Sequence, residues 1–164
     1  MTISMYAITV PVLTRYLNNL DAILAKAEAN AAERKIKPEV LPASRLAPDM
    51  LPLSFQVQST TDRVKFLMAR LTGQTPPSWE DTETTLEQLR GRVQKALAYL
   101  ATFSEADLAG KEDGMVTIRD KQVPALDHAL NNALPQIFFH LTAAYAILRH
   151  NGVEVGKRDY LGMV

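Results

Sequence analysis

Apolar side chains recur at spacings of three and four residues along four stretches of the chain, the pattern of helices with one buried face. The first stripe predicts a helix over residues 4–35, with Pro11 early enough in it to cause only a local kink. The second stripe predicts a helix over residues 52–72 that Gly73 caps. These two stripes consist of Tyr6, Val10, Leu13, Leu17, Leu20 and Leu24, and of Leu53, Val57, Val64, Leu67 and Leu71.

The other two stripes predict helices in the second half of the chain. Ser78 and Asp81 have the spacing of a capping box, so the third helix is expected to start there and to run to Phe103. The fourth helix is expected from Asn132, as its N-cap, to Asn151, with Gly152 as a left-handed cap. Four amphipathic helices bury one another best as a bundle, so the predicted fold class is all-α. Long segments between helices one and two and between three and four allow crossover connections.

The predicted connections differ in character. Four prolines predict an extended connection, without a helix of its own, between the first two helices: Pro38, Pro42, Pro48 and Pro52. Between residues 104 and 132 the helical spacing fails. Residues 115–118 either pair with Gln122 and Val123 as a short β-hairpin over residues 115–123, or the segment remains a loop. Residues 125–131 have room for one helical turn before the fourth helix.

Composition narrows the classes of function. The 164 residues suit one domain over residues 1–164, and 18 Lys and Arg balance 18 Asp and Glu. A neutral chain lacks the field that draws proteins to nucleic acid or anionic membranes, so neither partner is expected. The absence of cysteine excludes thiol chemistry and disulfides, and it favours a cytoplasmic location. The uncharged run of residues 129–148 contains Asn131, Gln136 and His140, which are costly in a bilayer, so a core helix is expected.

One histidine stands among the apolar rows of the fourth helix. His140 is expected to point inward, either as a hydrogen-bonded core residue or as part of a polar pocket. Gln56 on the second helix would line such a pocket if the two side chains meet across the bundle, whereas Gln58 and Asp62 are expected to face water. His128 and His150 are expected to be exposed or to lie at a helix end.

The three histidines do not have metal-site spacing. His140 and His150 are ten residues apart on one helix, which separates their Cα atoms by ~15 Å. Neither an HxxxH nor an HExxH motif is present, and no GxSxG elbow displays a serine nucleophile. The sequence therefore gives no positive support for a known catalytic chemistry.

The carboxyl-terminal segment of residues 156–162 alternates charged and bulky residues. This pattern predicts that the tail docks on the body of the protein, with Tyr160 and Leu161 buried and Arg158 or Asp159 in an ion pair. The competing interpretation is a solvated tail.

Three sequence blocks together resemble a known family. They are residues 51–58 (LPLSFQVQ), residues 139–153 with their FH pair and AAYAILRHNGV run, and residues 156–162 (GKRDYLG). They are similar to a domain-of-unknown-function branch of the DinB/YfiT-like helical bundles. The resemblance implies a DinB-like four-helix bundle, commonly dimeric, and assigns no activity.

The resemblance also implies where a metal ion would lie. Many members of the superfamily hold nickel or zinc between a histidine near the start of the second helix and two histidines four residues apart on the last. Here His140 corresponds to the first of that pair, Ala144 takes the place of the second, and Gln56 and Gln58 lie where the remaining histidine is expected. No intact metal site is therefore predicted, and the thiol-transfer chemistry of relatives is not carried over.

Two hypotheses for function follow. The first is a helical bundle protein that binds a small molecule, or a second copy of itself, around the second and fourth helices. Its candidate ligand-binding residues are His140, Gln56, Tyr145 and Asp62, and it uses no cofactor. A homodimer would bury spare apolar rows. The alternative is a degenerate metal-dependent transferase or hydrolase that uses His140 with His128 or Asp62 and takes nickel or zinc.

Overall fold

The structure, a computed structural model, describes residues 4–163. Four long helices form its frame: α1 (Met5–Glu33), α3 (Leu53–Thr72), α4 (Leu86–Leu100) and α7 (Leu134–His150). Four short helices connect or extend them: α2 (Val40–Ala43), α5 (Glu105–Leu108), α6 (Ala125–His128) and α8 (Lys157–Leu161). Two strands, β1 (Met115–Ile118) and β2 (Lys121–Pro124), a 3-10 turn (Lys111–Asp113) and a π-helical turn (Ala129–Ala133) are the other regular elements of the described residues.

The long helices pack as a bundle, as the apolar stripes predict. α3 lies between α7 and α4, and α1 packs against α4 and α8. Residues of the first stripe, such as Leu13, Leu17 and Leu24, are at most 1% exposed. The predicted all-α bundle is therefore confirmed. Across the described residues, no helix combines the length and the apolar character that a membrane span requires.

The two strands form the hairpin that was one of the two alternatives for this segment. β1 and β2 pair antiparallel, with Val116 opposite Val123 and Ile118 opposite Lys121. The turn consists of Arg119 and Asp120, and Arg119 has a left-handed φ of 57°. The hairpin leads directly into α6, which places it beside the start of the last helical run.

Two predictions for the segments between the long helices are wrong. The proline-rich connection contains the one-turn helix α2, because Pro42 lies in its first turn, where a missing N–H costs nothing. The third helix begins at Leu86 and not at Ser78. Its capping box is formed by Thr85 and Gln88, while the preceding segment of residues 74–84 stays extended.

The last helical run begins earlier than predicted. Asn132 is not an N-cap, because α6 continues through a π-helical turn (Ala129–Ala133) into α7. Pro135 follows this turn and has no N–H to donate to the carbonyl one turn back, which favours a wider turn before it. The end agrees with prediction: Gly152 has a φ of 84°, and the N–H of Val153 donates to Leu148 O.

The carboxyl-terminal tail docks on α1, which confirms the first of the two interpretations. Tyr160 is half-buried, with its ring centroid 5.5 Å from that of Tyr16, and its carbonyl accepts from Asn19 Nδ2 at 2.9 Å. Asp159 forms an ion pair of 2.6 Å with Lys26. Asp159 is paired as expected, whereas Tyr160 and Leu161 are half-buried and not fully buried as predicted.

Candidate functional site

His140 and Gln56 meet in the interior between α7 and α3. His140 Nδ1 lies 2.8 Å from Gln56 Oε1, and the two side chains are only 8% and 3% exposed. Gln56 Nε2 donates to Leu51 O at 3.0 Å. Because a carbonyl only accepts, that bond fixes the amide with its oxygen toward the imidazole, and His140 must donate from Nδ1. The other ring nitrogen, Nε2, is then an acceptor in the neutral ring.

The surroundings keep this imidazole neutral. Burial, and secondarily the nearby charge of Arg63, lower the pKa of His140 from 6.5 to about 4. The rings of Phe55 and Phe139 stand edge-on to it, with centroids 6.0 and 5.3 Å away. Within the described residues no side chain or carbonyl is hydrogen-bonded to Nε2. At neutral pH the site therefore offers one acceptor nitrogen beside two aromatic rings.

Two further predicted site residues do not join this pair. Tyr145 lies about 140° around α7 from His140, and its ring packs 6.1 Å from that of Tyr160 in the docked tail. Asp62 is held elsewhere, because its Oδ1 atom is 2.8 Å from Lys65 Nζ and 2.9 Å from Arg92 Nη2. The structure thus brings together Gln56 and His140 out of the four candidates.

Several polar residues of α3 belong to a charge cluster around a buried arginine, which was not predicted from the sequence. The prediction that Gln58 faces water is wrong: it is 8% exposed and donates to Glu83 Oε2 at 2.9 Å. At the centre is Arg92, whose side chain is 1% exposed and which binds Asp62, Asp81 and Glu83. The burial of Arg92 could have been predicted from its position three residues after Leu89 and four before Ala96, on the apolar face of α4.

A second polar feature lies at the other end of the α3–α7 groove. A cleft of about 780 Å³, which we call the hairpin cleft, opens between α3, the β1–β2 hairpin and the run from α6 to α7. Four cationic side chains line it: Arg63, Arg70, Arg119 and Lys121. Two carboxylates, Asp120 and Asp127, also line it.

His128 lines the hairpin cleft and is 5% exposed, so the first of its two predicted placements, exposure, is wrong. It lies at the carboxyl end of α6, as the second placement predicted. Its Nε2 atom is buried with no hydrogen-bond partner among the described residues, and the same holds for Arg63 Nε. Burial, and then the charge of Arg70, lower the pKa of His128. The β1–β2 hairpin packs beside α6 and covers the His128 imidazole. The residues around His128 contain no pattern from which this packing could be predicted.

His128 and His140 do not form one site. They are twelve residues apart on one helical run, a separation of about 18 Å. No group of three or more His, Asp or Glu side chains in residues 4–163 is arranged to hold a metal ion. The proposed pairing of His140 with His128 or Asp62 is therefore not present.

The comparisons with known proteins agree with the fold and place the chain in a class. The bundle and its short hairpin are those of a DinB-like helical bundle protein. A crystal structure of a DinB family member protein from Shewanella denitrificans, at 1.83 Å resolution, is 46% identical with a TM-score of 0.92, over 98% of this chain and 93% of that one. The family model "Domain of unknown function (DUF1993)" matches residues 5–161, and the chain belongs to this family. No curated protein matches the chain.

The donor set does not fit the metal site that the resemblance implies. Of the positions concerned, only His140 has an imidazole, so its Nε2 atom is the single histidine nitrogen that could bind an ion there. Ala144 has no ligand atom, and a neutral amide is a poor ligand for nickel or zinc. The pair is better suited to hydrogen bonding than to holding an ion.

Proposed function

We propose that this protein binds a small organic ligand at the His140–Gln56 pair, in the groove between α3 and α7, without a metal ion. The observation that carries the proposal is the fixed, neutral imidazole with Nδ1 bonded to Gln56 and Nε2 left as an acceptor. His140 Nε2 is accessible from outside, and an acceptor in this position suits a hydroxyl or amine of a ligand.

The neighbouring side chains suggest the rest of the ligand. Phe55 and Phe139 flank the imidazole, and Phe139 is 62% exposed. Aromatic edges and faces favour an apolar or aromatic portion next to the donor group. A ligand with one hydroxyl or amine on a compact apolar body matches this arrangement.

Phenol and toluene are suitable probes because they differ in one hydroxyl. NMR titration should show phenol binding about fivefold more tightly than toluene, the contribution of one hydrogen bond, and it should move the His140 Nε2 resonance. His140→Asn keeps a donor for Gln56 but places no acceptor at the Nε2 position, so it should abolish the preference for phenol. His150→Asn, at an exposed position on the same helix, is the matched control. Equal affinities for both probes in the wild type would contradict the proposal.

Self-association is a second candidate function. Two large apolar side chains, Phe139 and Leu51, are 62% and 46% exposed and flank the His140–Gln56 pair from α7 and from the residues before α3. A second copy that covers this region would bury them. Light scattering should give the mass of a dimer for the wild type and of a monomer for Phe139→Glu. A monomeric wild type at high concentration would exclude this function.

A further inference from the structure

We infer that the hairpin cleft is a binding site for the phosphate group of a small metabolite, distinct from the His140–Gln56 pair. Four cationic side chains line the cleft against two carboxylates, in a protein whose formal net charge is zero. The local excess of positive charge is thus a property of this cleft and not of the whole molecule.

Across residues 4–163, the four cations of the cleft form no ion pairs, unlike Arg90 and Arg92. Arg90 binds Asp21 and Glu28, and Arg92 binds three carboxylates. Within the described residues, none of the four cationic side chains in the cleft forms a salt bridge, although Asp120 and Asp127 lie in the same lining. Asp127 instead accepts from Asn131 Nδ2 at 2.6 Å. The charges of the four cationic side chains are therefore available to an anion.

Two buried nitrogens in the same lining have no partner in the described residues. They are Nε2 of His128, a residue that is 95% buried, and Nε of Arg63. Orphaned buried polar atoms are uncommon in folded proteins. A bound group that accepts hydrogen bonds would satisfy Arg63 Nε–H, and also His128 Nε2 in the tautomer that carries its proton on that nitrogen. Gln136 Nε2 donates to Asn132 Oδ1 at 2.8 Å, which leaves the Asn132 amide hydrogens free to donate into the cleft as well.

The like charges of the cleft repel one another when no anion is bound. Burial, followed by the charge of Arg63, lowers the pKa of Arg70, and the charge of Arg70 contributes to the lowered pKa of His128. A dianionic phosphate offers three acceptor oxygens and compensates two positive charges, which matches the excess of four cations over two carboxylates. Guanidinium groups bind such oxygens in a bidentate manner.

The volume of the cleft indicates that the phosphate is part of a larger molecule. At about 780 Å³ the cleft falls in the range of small-molecule sites and exceeds the space that a phosphate ion alone fills. Ile118 and Val123 of the hairpin supply apolar lining next to the charged groups. A phosphomonoester with a small organic body is the ligand class that these features select.

Inorganic phosphate is the probe for a direct test, with acetate as a singly charged comparison. NMR titration of the wild-type protein should give saturable binding of phosphate that moves the His128 ring resonances, and weaker binding of acetate. Arg70→Gln should weaken phosphate binding about tenfold, the factor typical of one charge-assisted hydrogen bond. Arg70 is exposed, so this variant is expected to fold, which its melting temperature would verify.

Arg149→Gln is the matched control because it removes the same charge from an exposed position at the far end of α7. It should leave phosphate affinity within about twofold of the wild type, since a distant exposed charge is largely screened. Equal weakening by both variants, absence of saturation, or acetate binding as tight as phosphate would each overturn the inference. The test does not involve His140, so its outcome is independent of the proposed binding at that pair.

Discussion

Lowering the pH is expected to destabilise this protein through His140. Burial, and then the charge of Arg63, lower the pKa of the His140 imidazole from 6.5 to about 4. The unfolded chain titrates near the ordinary value, so between these two pH values it binds a proton that the folded state does not. The stability that neutral His140 contributes is therefore complete above about pH 6.5 and is lost as the pH falls toward about 4.

The size of the effect follows from the shift. One pKa unit corresponds to about 1.4 kcal/mol, so the fall from 6.5 to about 4 amounts to about 3 kcal/mol of unfolding free energy. A typical domain is stable by about 5–15 kcal/mol, so this loss is a large fraction of the total. The lowered pKa of His128 adds a loss of the same sign, which means that the wild type alone does not isolate His140.

Urea unfolding of the wild type, His140→Asn and His150→Asn across this pH range isolates the contribution of His140. The asparagine at position 140 keeps a donor for Gln56 and removes the titrating ring, and His150 is an exposed histidine on the same helix. Between about pH 6.5 and about 4, the wild type and His150→Asn should each lose about 3 kcal/mol more than His140→Asn. Equal losses in all three proteins, or a His140 ring that titrates near 6.5 by NMR, would refute the reasoning.

Three further predictions concern stability. Arg92→Met should lower the unfolding free energy by about 3 kcal/mol, because it removes the hydrogen bonds that a 1% exposed guanidinium makes to Thr61, the Glu80 carbonyl and Glu83. Arg90→Met should cost less than about 1 kcal/mol, because its 36% exposed side chain binds two carboxylates close to solvent. Equal costs in urea unfolding would contradict this. Arg119→Gly should raise stability by about 0.5 kcal/mol, since glycine adopts the left-handed φ of 57° without strain, and a lower melting temperature would count against it. Tyr160→Ala should lower the melting temperature by about 6 °C through lost contacts with Tyr16 and Tyr145, and calorimetry showing no change would mean that the docked tail contributes nothing.

The long helices could be predicted because their apolar spacing reports burial directly. Leu53, Val57, Val64 and Leu67 are each 0% exposed, and all of them belong to the predicted second stripe. The meeting of Gln56 and His140 also follows from such spacing, because each lies on the inward side of its helix near the same end of the bundle. The spacing of apolar residues therefore predicts on which face of a helix a side chain lies, even when that side chain is polar.

The extended segment of residues 74–84 could not be predicted in the same way. Ser78 and Asp81 have the spacing of a capping box, but this spacing contains no information about the contacts between α4 and the segment. Arg92 binds the Glu80 carbonyl at 2.9 Å together with Asp81 and Glu83, and this holds the segment against α3 and α4 in an extended form. A contact between residues about ten positions apart overrides a motif four residues long.

The polar face of the last helical run depends on the π-helical turn. In an uninterrupted α-helix, twelve residues rotate by about 1200°, which would place His128 about 120° away from His140. The π-helical turn takes up one additional residue, so the rotation from His128 to His140 equals that of eleven α-helical residues. The two side chains therefore lie about 20° apart around the helix axis. His128, Asn132, Gln136 and His140 consequently follow one another along the groove beside α3, with Arg63 lining its middle. The helix predicted from the sequence begins at Asn132 and has no π-helical turn, so His128 lies outside this row. For this reason the hairpin cleft was not predicted from the sequence.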